Sequence, residues 1–456
     1  MKIRFRFFNF ILAAIYAVIY DYVYCNYMYG VWETYVDGSY SPMNTYNYIF
    51  FILIAAFPFV FYEGLRHIAS AFSLFVYVLV YIPFVESLFV NGYPDNIRIS
   101  YSFLFFVIIC AFFLTDHIYT LKKLFKRKRK LISFNSVIVL TFLLLAIELF
   151  LNYGQLHLVN FFAADNDLYS LREGTHLTGI YFVCWLRSAL LPLLLVYYLN
   201  RKSIWGVSLV IMAFLSVFML DKQKMTVIFP FALIVIHYAF LYYEDRFGKY
   251  FHIFLIGLFA IVGMFFTIIG TNPITLTLGM ILVLRIQCIA GVEFERYFDF
   301  FIVQDNPFTY YTHISVLKYI TGMYPYGELS IGEAVAGNGS VANATFLLMD
   351  GLAAAGMIGC VIISIIFIFF KTIMNSLDAK CNVGICVTIL LFGIQSMMNL
   401  SLMTAILSNG FLLLFLLFLY TDVSAVERVK NTKKRRRLPN RKNTHNILKL
   451  SDYPTF

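Results

Sequence analysis

In the stretch LVLRIQCIAGVEFERYFDFF, residues 282–301, two arginines (Arg285 and Arg296) stand among three carboxylates (Glu293, Glu295 and Asp299) directly after an apolar run. A guanidinium offers a planar fork that grips phosphate at two points. No acid lies within one helical turn of Arg285 to neutralise it. The plain alternative is that it reaches lipid headgroups. Arg296 differs, because Glu293 and Asp299, three residues to either side, are spaced to pair with it. On a straight helix the two arginines would lie on nearly one face, about 16 Å apart, unless Gly291 between them breaks it.

A second group is FMLDKQKMTVIFP, residues 218–230, with Asp221, Lys222 and Lys224 at a turn between two apolar runs. Asp221 can pair with one lysine and leaves the other to face a cavity or hold an anion. Arg187 sits near the middle of YFVCWLRSALLPLL. A cation at mid-membrane costs about 3 kcal/mol and faces a polar cavity or an acid. Asp350 and Glu148 are its candidate partners. Asp21, Glu86 and Asp116 stand near the ends of apolar runs, where water is expected to reach them. The segment 325–346, PYGELSIGEAVAGNGSVANATF, offers Glu333, Asn338 and Asn343 as hydrogen-bonding groups suited to sugar hydroxyls; an ordinary solvated loop reads equally well.

These residues must be positioned by membrane helices. The 456-residue chain is 61% hydrophobic and 13% charged, against about 45–50% and about 25% for a soluble domain. Its apolar residues fall into runs near 7–25, 46–62, 68–90, 99–121, 132–152, 178–199, 203–220, 225–243, 250–270, 345–370, 381–400 and 405–421. These predict an all-α polytopic membrane protein of about twelve helices. The basic start lacks a small-x-small cleavage pattern and reads as the first span. Seven cysteines and eight histidines show no zinc or redox spacing, so no metal or other cofactor is predicted.

With the N-terminus inside, 27 of the 35 Lys and Arg fall on cytoplasmic segments and seven on the outer side, which also receives thirteen acids. The bias orients the chain with both termini cytoplasmic. Residues 1–421 form one transmembrane domain, and 422–456 a basic tail drawn to anionic lipid; nothing else supports nucleic-acid binding. If 274–294 crossed the membrane, the tail would invert, so this stretch is expected as an interfacial or re-entrant helix. It belongs to the longest outer loop, 271–344; the next is 153–177.

The order of features resembles a known family. A lysine turn follows the seventh span. An arginine helix running into YFDFF follows the ninth. Then comes a Gly/Glu stretch, and N-x-x-F-x-x-x-D-G-x-x-x-x-G-x-x-G enters the next span as Asn343, Phe346, Asp350, Gly351, Gly356 and Gly359. Over residues 200–420 this is similar to the Wzy-type oligosaccharide repeat unit polymerases of O-antigen and capsule. The resemblance implies a GT-C-type membrane glycosyltransferase of the bacterial inner membrane. Its substrates would be glycans on undecaprenyl diphosphate, with a chain-length regulator as a possible partner. Arg285, with Lys224, Lys222, Arg296 or Arg187, would then hold the diphosphate. The base would be Glu293, Glu295, Asp299, His313 or Glu333, with Glu295 or Asp299 favoured for lying beside the arginines. Glu333, Asn338, Asn343, Asp350 and His313 would meet sugar. A flippase for lipid-linked sugar and an O-antigen ligase are the alternative expectations.

Overall fold

The computed structural model describes residues 2–32, 40–121, 131–156, 177, 179–269, 272–337, 347–379, 381–421 and 426. Among them there is no strand, only an isolated bridge between Ile132 and Thr421. Among the described residues, eleven helices are long and apolar enough to cross a membrane. In lipid the backbone must bond within its own segment, which is why the apolar runs become helices. In chain order the helices are α1 (Arg4–Val31), α2 (Thr45–Phe61, shorter), α3 (Ile68–Val90), α4 (Asp95–Leu114), α5 (Phe134–Leu151), α6 (Ile180–Asn200), α7 (Ile204–Asp221), α8 (Lys224–Tyr243), α9 (Arg246–Ile269) and α10 (Ile274–Val303). Two short helices follow, α11 (Ser315–Thr321) and α12 (Ile331–Ala336). The last three are α13 (Leu347–Ala379), α14 (Val383–Met397, shorter) and α15 (Leu402–Tyr420).

The bundle has two faces. On the basic face, Asn9 Nδ2 donates to the Tyr62 carbonyl at 2.8 Å and Leu65 N to Gly248 O at 2.9 Å, joining the ends of α1, α2, α3 and α9. On the opposite face, Tyr29 Oη donates to Asn91 Oδ1 at 2.7 Å, joining the far ends of α1 and α3. α8 and α9 are antiparallel: Phe240 and Phe251 rings lie 5.9 Å apart, against about 16 Å along one straight helix. α3 is wholly buried and forms the axis of the bundle. Its tyrosines bond to neighbouring backbones, Tyr77 Oη to Ala55 O and Tyr81 Oη to Ile54 O, both at 2.8 Å. A hydroxyl kept from water needs such a partner.

Proline shapes two helices. α3 is π-helical over Tyr77–Tyr81, just before Pro83, and α6 over Leu186–Leu190, just before Pro192. Proline cannot donate to the carbonyl one turn back and crowds it, so the preceding turn widens.

Several expectations change. α10 stays helical through Gly291, so this glycine does not break it; a Cβ there would meet Pro83 O at 3.0 Å, and glycine serves close packing on α3. The 345–370 run is not one straight span. Ala355 and Gly356 leave helical geometry, Cys360 Sγ reaches Leu348 O at 3.5 Å, and a Cβ on Gly359 would collide with Gly351 O. The chain therefore rises through Leu347–Ala354, reverses, and descends to the basic face. Gly356, at φ +57°, makes the reversal in a conformation that glycine tolerates best. The last span is interrupted by Gly410, at φ +78°. Asp116 and Glu86 are buried rather than solvated. Asp116 pairs with Lys371 at 2.7 Å, and this lysine is an interior residue, not a loop cation. Most of the 153–177 loop, the tail, Asn338 and Asn343 lie outside the described residues.

α10 packs against α1 and α3. Gly279 packs on Tyr27 and Phe266, Gly291 on Tyr24 and Pro83, Phe294 stacks on Phe84 at 4.3 Å, and Asp299 accepts from Tyr93 Oη at 2.7 Å.

Candidate functional site

The π-turn ahead of Pro192 carries Arg187, whose Nη1 meets Asp221 Oδ2 at 2.8 Å. Both side chains are buried, and the guanidinium lies 5.5 Å from the centre of the Phe392 ring. Neither Asp350 nor Glu148 is its partner, and Asp221 engages Arg187 rather than being left to a lysine alone. Asp221 also accepts from Thr226 Oγ1 at 2.8 Å and from Gln223 N at 2.9 Å. These three contacts fix the carboxylate at the α7–α8 turn. Lys222, at φ +52°, ends α7, and it and Lys224 are buried in the same turn. Among the described residues, Arg187, Lys222 and Lys224 therefore gather around Asp221 at this turn.

His313 and Asp350 form the second element. His313 follows the irregular segment after α10, and Asp350 lies in the rising arm of α13. His313 Nδ1 is 2.7 Å from Thr309 Oγ1, whose hydroxyl donates to Ala353 O at 3.1 Å. With that proton committed, Nδ1–H is assigned as the donor to Thr309, and Nε2 carries the lone pair. Nε2 stands 3.7 Å from Asp350 Oδ1, and neither atom has a hydrogen-bond partner. Asp350 Oδ2 accepts from Leu402 N at 3.0 Å, at the start of α15. A proton arriving on Nε2 would meet a carboxylate already held in place.

His313 lines a cavity of about 450 Å³ between α6 and α15. One end is polar, with His313, Ser401, Thr404 and Ser408; the other is walled by Leu412 and Leu416. Trp185 forms part of the wall and donates from Nε1 to Leu407 O at 2.9 Å. It is two residues from Arg187, so α6 connects the cation cluster to the cavity. Tyr181, Leu407, Leu412 and Leu416 are exposed on the flank of the bundle. The cavity is a groove that opens on an apolar flank of the bundle.

The remaining residues are distributed differently. Arg296 pairs with Glu293 at 3.3 Å and is mostly buried, whereas Arg285 is exposed. Arg285 lies in the π-helical turns Met280–Cys288, so the straight-helix spacing that puts the two arginines on one face does not apply. Glu295 is buried, and Asp299 is engaged by Tyr93. Glu333 closes a capping box: its carboxylate accepts from Ser330 N at 2.6 Å, and this bond holds its pKa below the ordinary carboxylate range. Sequence reasoning did not select Thr309 or Trp185. Thr309 precedes His313 by four residues, but that spacing alone is commonplace.

Neither a family model, nor a curated protein, nor a solved structure matches the chain.

Proposed function

We propose that the chain is a membrane glycosyltransferase that joins lipid-diphosphate-linked oligosaccharide units. The observation that carries this reading is the groove at α6 and α15. Its apolar wall opens to lipid and suits a polyprenyl tail. Its polar end holds His313 between Thr309 and Asp350, and its flank leads to Arg187, Lys222 and Lys224. The family resemblance in 200–420 supports the same chemistry, with a GT-C-type architecture and a bacterial inner-membrane location.

On this reading His313 Nε2, rather than Glu295 or Asp299, takes the proton from the acceptor hydroxyl. The acceptor oxygen attacks the anomeric carbon, and the bond from that carbon to the diphosphate oxygen breaks. The imidazolium is steadied by Asp350. The lipid diphosphate leaves with the bonding electron pair, and the lysine–arginine cluster lowers the energy of that developing charge. Arg285, exposed on α10, meets headgroups or the incoming diphosphate before transfer.

The test is a ladder assay. Purified protein in detergent receives lipid-diphosphate-linked repeat units without nucleotide sugar, and products are separated on a gel. A ladder is expected. If reconstituted protein instead moves the substrate across a bilayer without lengthening it, the chain is a flippase. If chains pass only to a lipid A core, it is a ligase.

A further inference from the structure

Helices α1 and α3 meet near the opposite face in a group the transfer reaction does not use. Asp21 and Cys25 are four residues apart on α1, and Glu86 projects from α3. One oxygen or sulfur atom from each lies within 4.8 Å of the others. Cys25 Sγ is 3.4 Å from Asp21 Oδ1. Glu86 has no solvent exposure, and no donor engages either carboxylate oxygen. The Asp21 carboxylate is within 4.8 Å of it. Among the described residues no lysine, arginine or histidine forms an ion pair with any of the three. A fully buried carboxylate aimed at a second acid requires a compensating cation or a shared proton.

We propose that Asp21, Cys25 and Glu86 bind a divalent transition-metal ion of the zinc class, clamping α1 to α3. Three observations favour a metal over a proton. A proton shared between two carboxyls needs no sulfur, yet Cys25 is placed at ligand spacing. Two ligands on one tetrahedral ion, with metal–oxygen about 2.1 Å and metal–sulfur about 2.3 Å, stand about 3.6 Å apart, close to the separation of Asp21 and Cys25. A thiolate beside carboxylates selects zinc-like ions over magnesium or calcium. Asp21 and Cys25 are only partly buried, and the side chain of Tyr40 beside Cys25 is exposed, so an ion has a route in. Binding expels the thiol proton, leaving thiolate on the metal. Because the site is apart from the groove, the clamp is structural, and its failure leaves the transferase reading untouched.

The full chain is purified in detergent without chelator, its zinc is measured by plasma mass spectrometry, and stripped protein is titrated with Co²⁺ alone. We expect about one ion per chain and a thiolate-to-cobalt charge-transfer band in the near ultraviolet. Cys25→Ser should abolish the band, and Glu86→Gln should remove the bound zinc. Since either variant could fold poorly, the wild-type chain supplies a second readout. Zinc should protect Cys25 from maleimide, seen by peptide mass spectrometry, and chelator should expose it. The proposal is overturned if wild type shows no thiolate band and Cys25 labels at one rate with and without zinc. The two carboxyls then share a proton.

Discussion

At the scale of single residues, the groove gives His313 a tautomer and Asp350 a fixed position. His313→Ala should cut polymer formation by about 10²- to 10⁴-fold, the usual worth of a positioned base, with protein abundance unchanged. A ladder of wild-type intensity from that variant would move the base elsewhere. Asp221→Ala leaves Arg187 buried without its carboxylate, and such losses cost about 3–5 kcal/mol. Thermal unfolding in detergent should register it, and Asp221→Asn should be milder because the Thr226 and Gln223 contacts have an acceptor left. Glu333 acts on stability through pH. Its carboxyl is held low on folding by the Ser330 N–H. The cap therefore helps above the unfolded pKa and is lost as pH falls through the folded one. Amide protection in Ile331–Ala336, after correction for intrinsic exchange, should fall as pH drops below about 4.3, and Glu333→Ala should flatten that response.

At the scale of elements, the α13 hairpin decides where Asp350 stands. Gly351 and Gly359 let its two arms touch backbone to backbone. Gly359→Ala would drive a methyl group into the Gly351 carbonyl, which must displace the arm that carries Asp350. The expected result is at least a tenfold loss of polymer, on the scale of misplaced catalytic groups, without loss of the protein from the membrane. The apolar content of this run was plain from residues 345–370, and Asp350 was singled out with it. The reversal was not legible, because Gly-rich small-residue runs serve straight packed helices equally well. The same holds for α6. An arginine in an apolar run signals a buried partner, but only the fold shows that the partner is Asp221, thirty-four residues on.

At the scale of the whole molecule, one question is whether α10 crosses. Its length and apolar composition suit a span, whereas the charge bias of the sequence places it on one side. Single cysteines at Asn272 and Asp305 should label from one side of the membrane with an impermeant maleimide. Labelling from opposite sides would make α10 a span. At the other face, Lys371 donates to Asp116 at 2.7 Å and to Ser73 at 3.0 Å, with Phe112 O also accepting. This network ties α3, α4 and α13 together inside the bundle. Lys371→Met alone should destabilise by about 3–5 kcal/mol, while Lys371→Met with Asp116→Leu should recover most of it, because removing both charges removes the desolvation cost as well.

By itself the sequence determined that this chain is a bundle of apolar helices, where most of them begin and end, and which polar residues must be explained. Those follow from local quantities: run length against bilayer thickness, and the cost of charge in lipid. Only the tertiary structure decided which charges meet. Arg187 finds Asp221, Lys371 finds Asp116, His313 finds Asp350, and Glu86 finds Asp21 and Cys25. Each of these contacts brings together separate segments of the chain, and electrostatic pairing in a low-dielectric interior depends on separation in space, which spacing along the sequence does not encode.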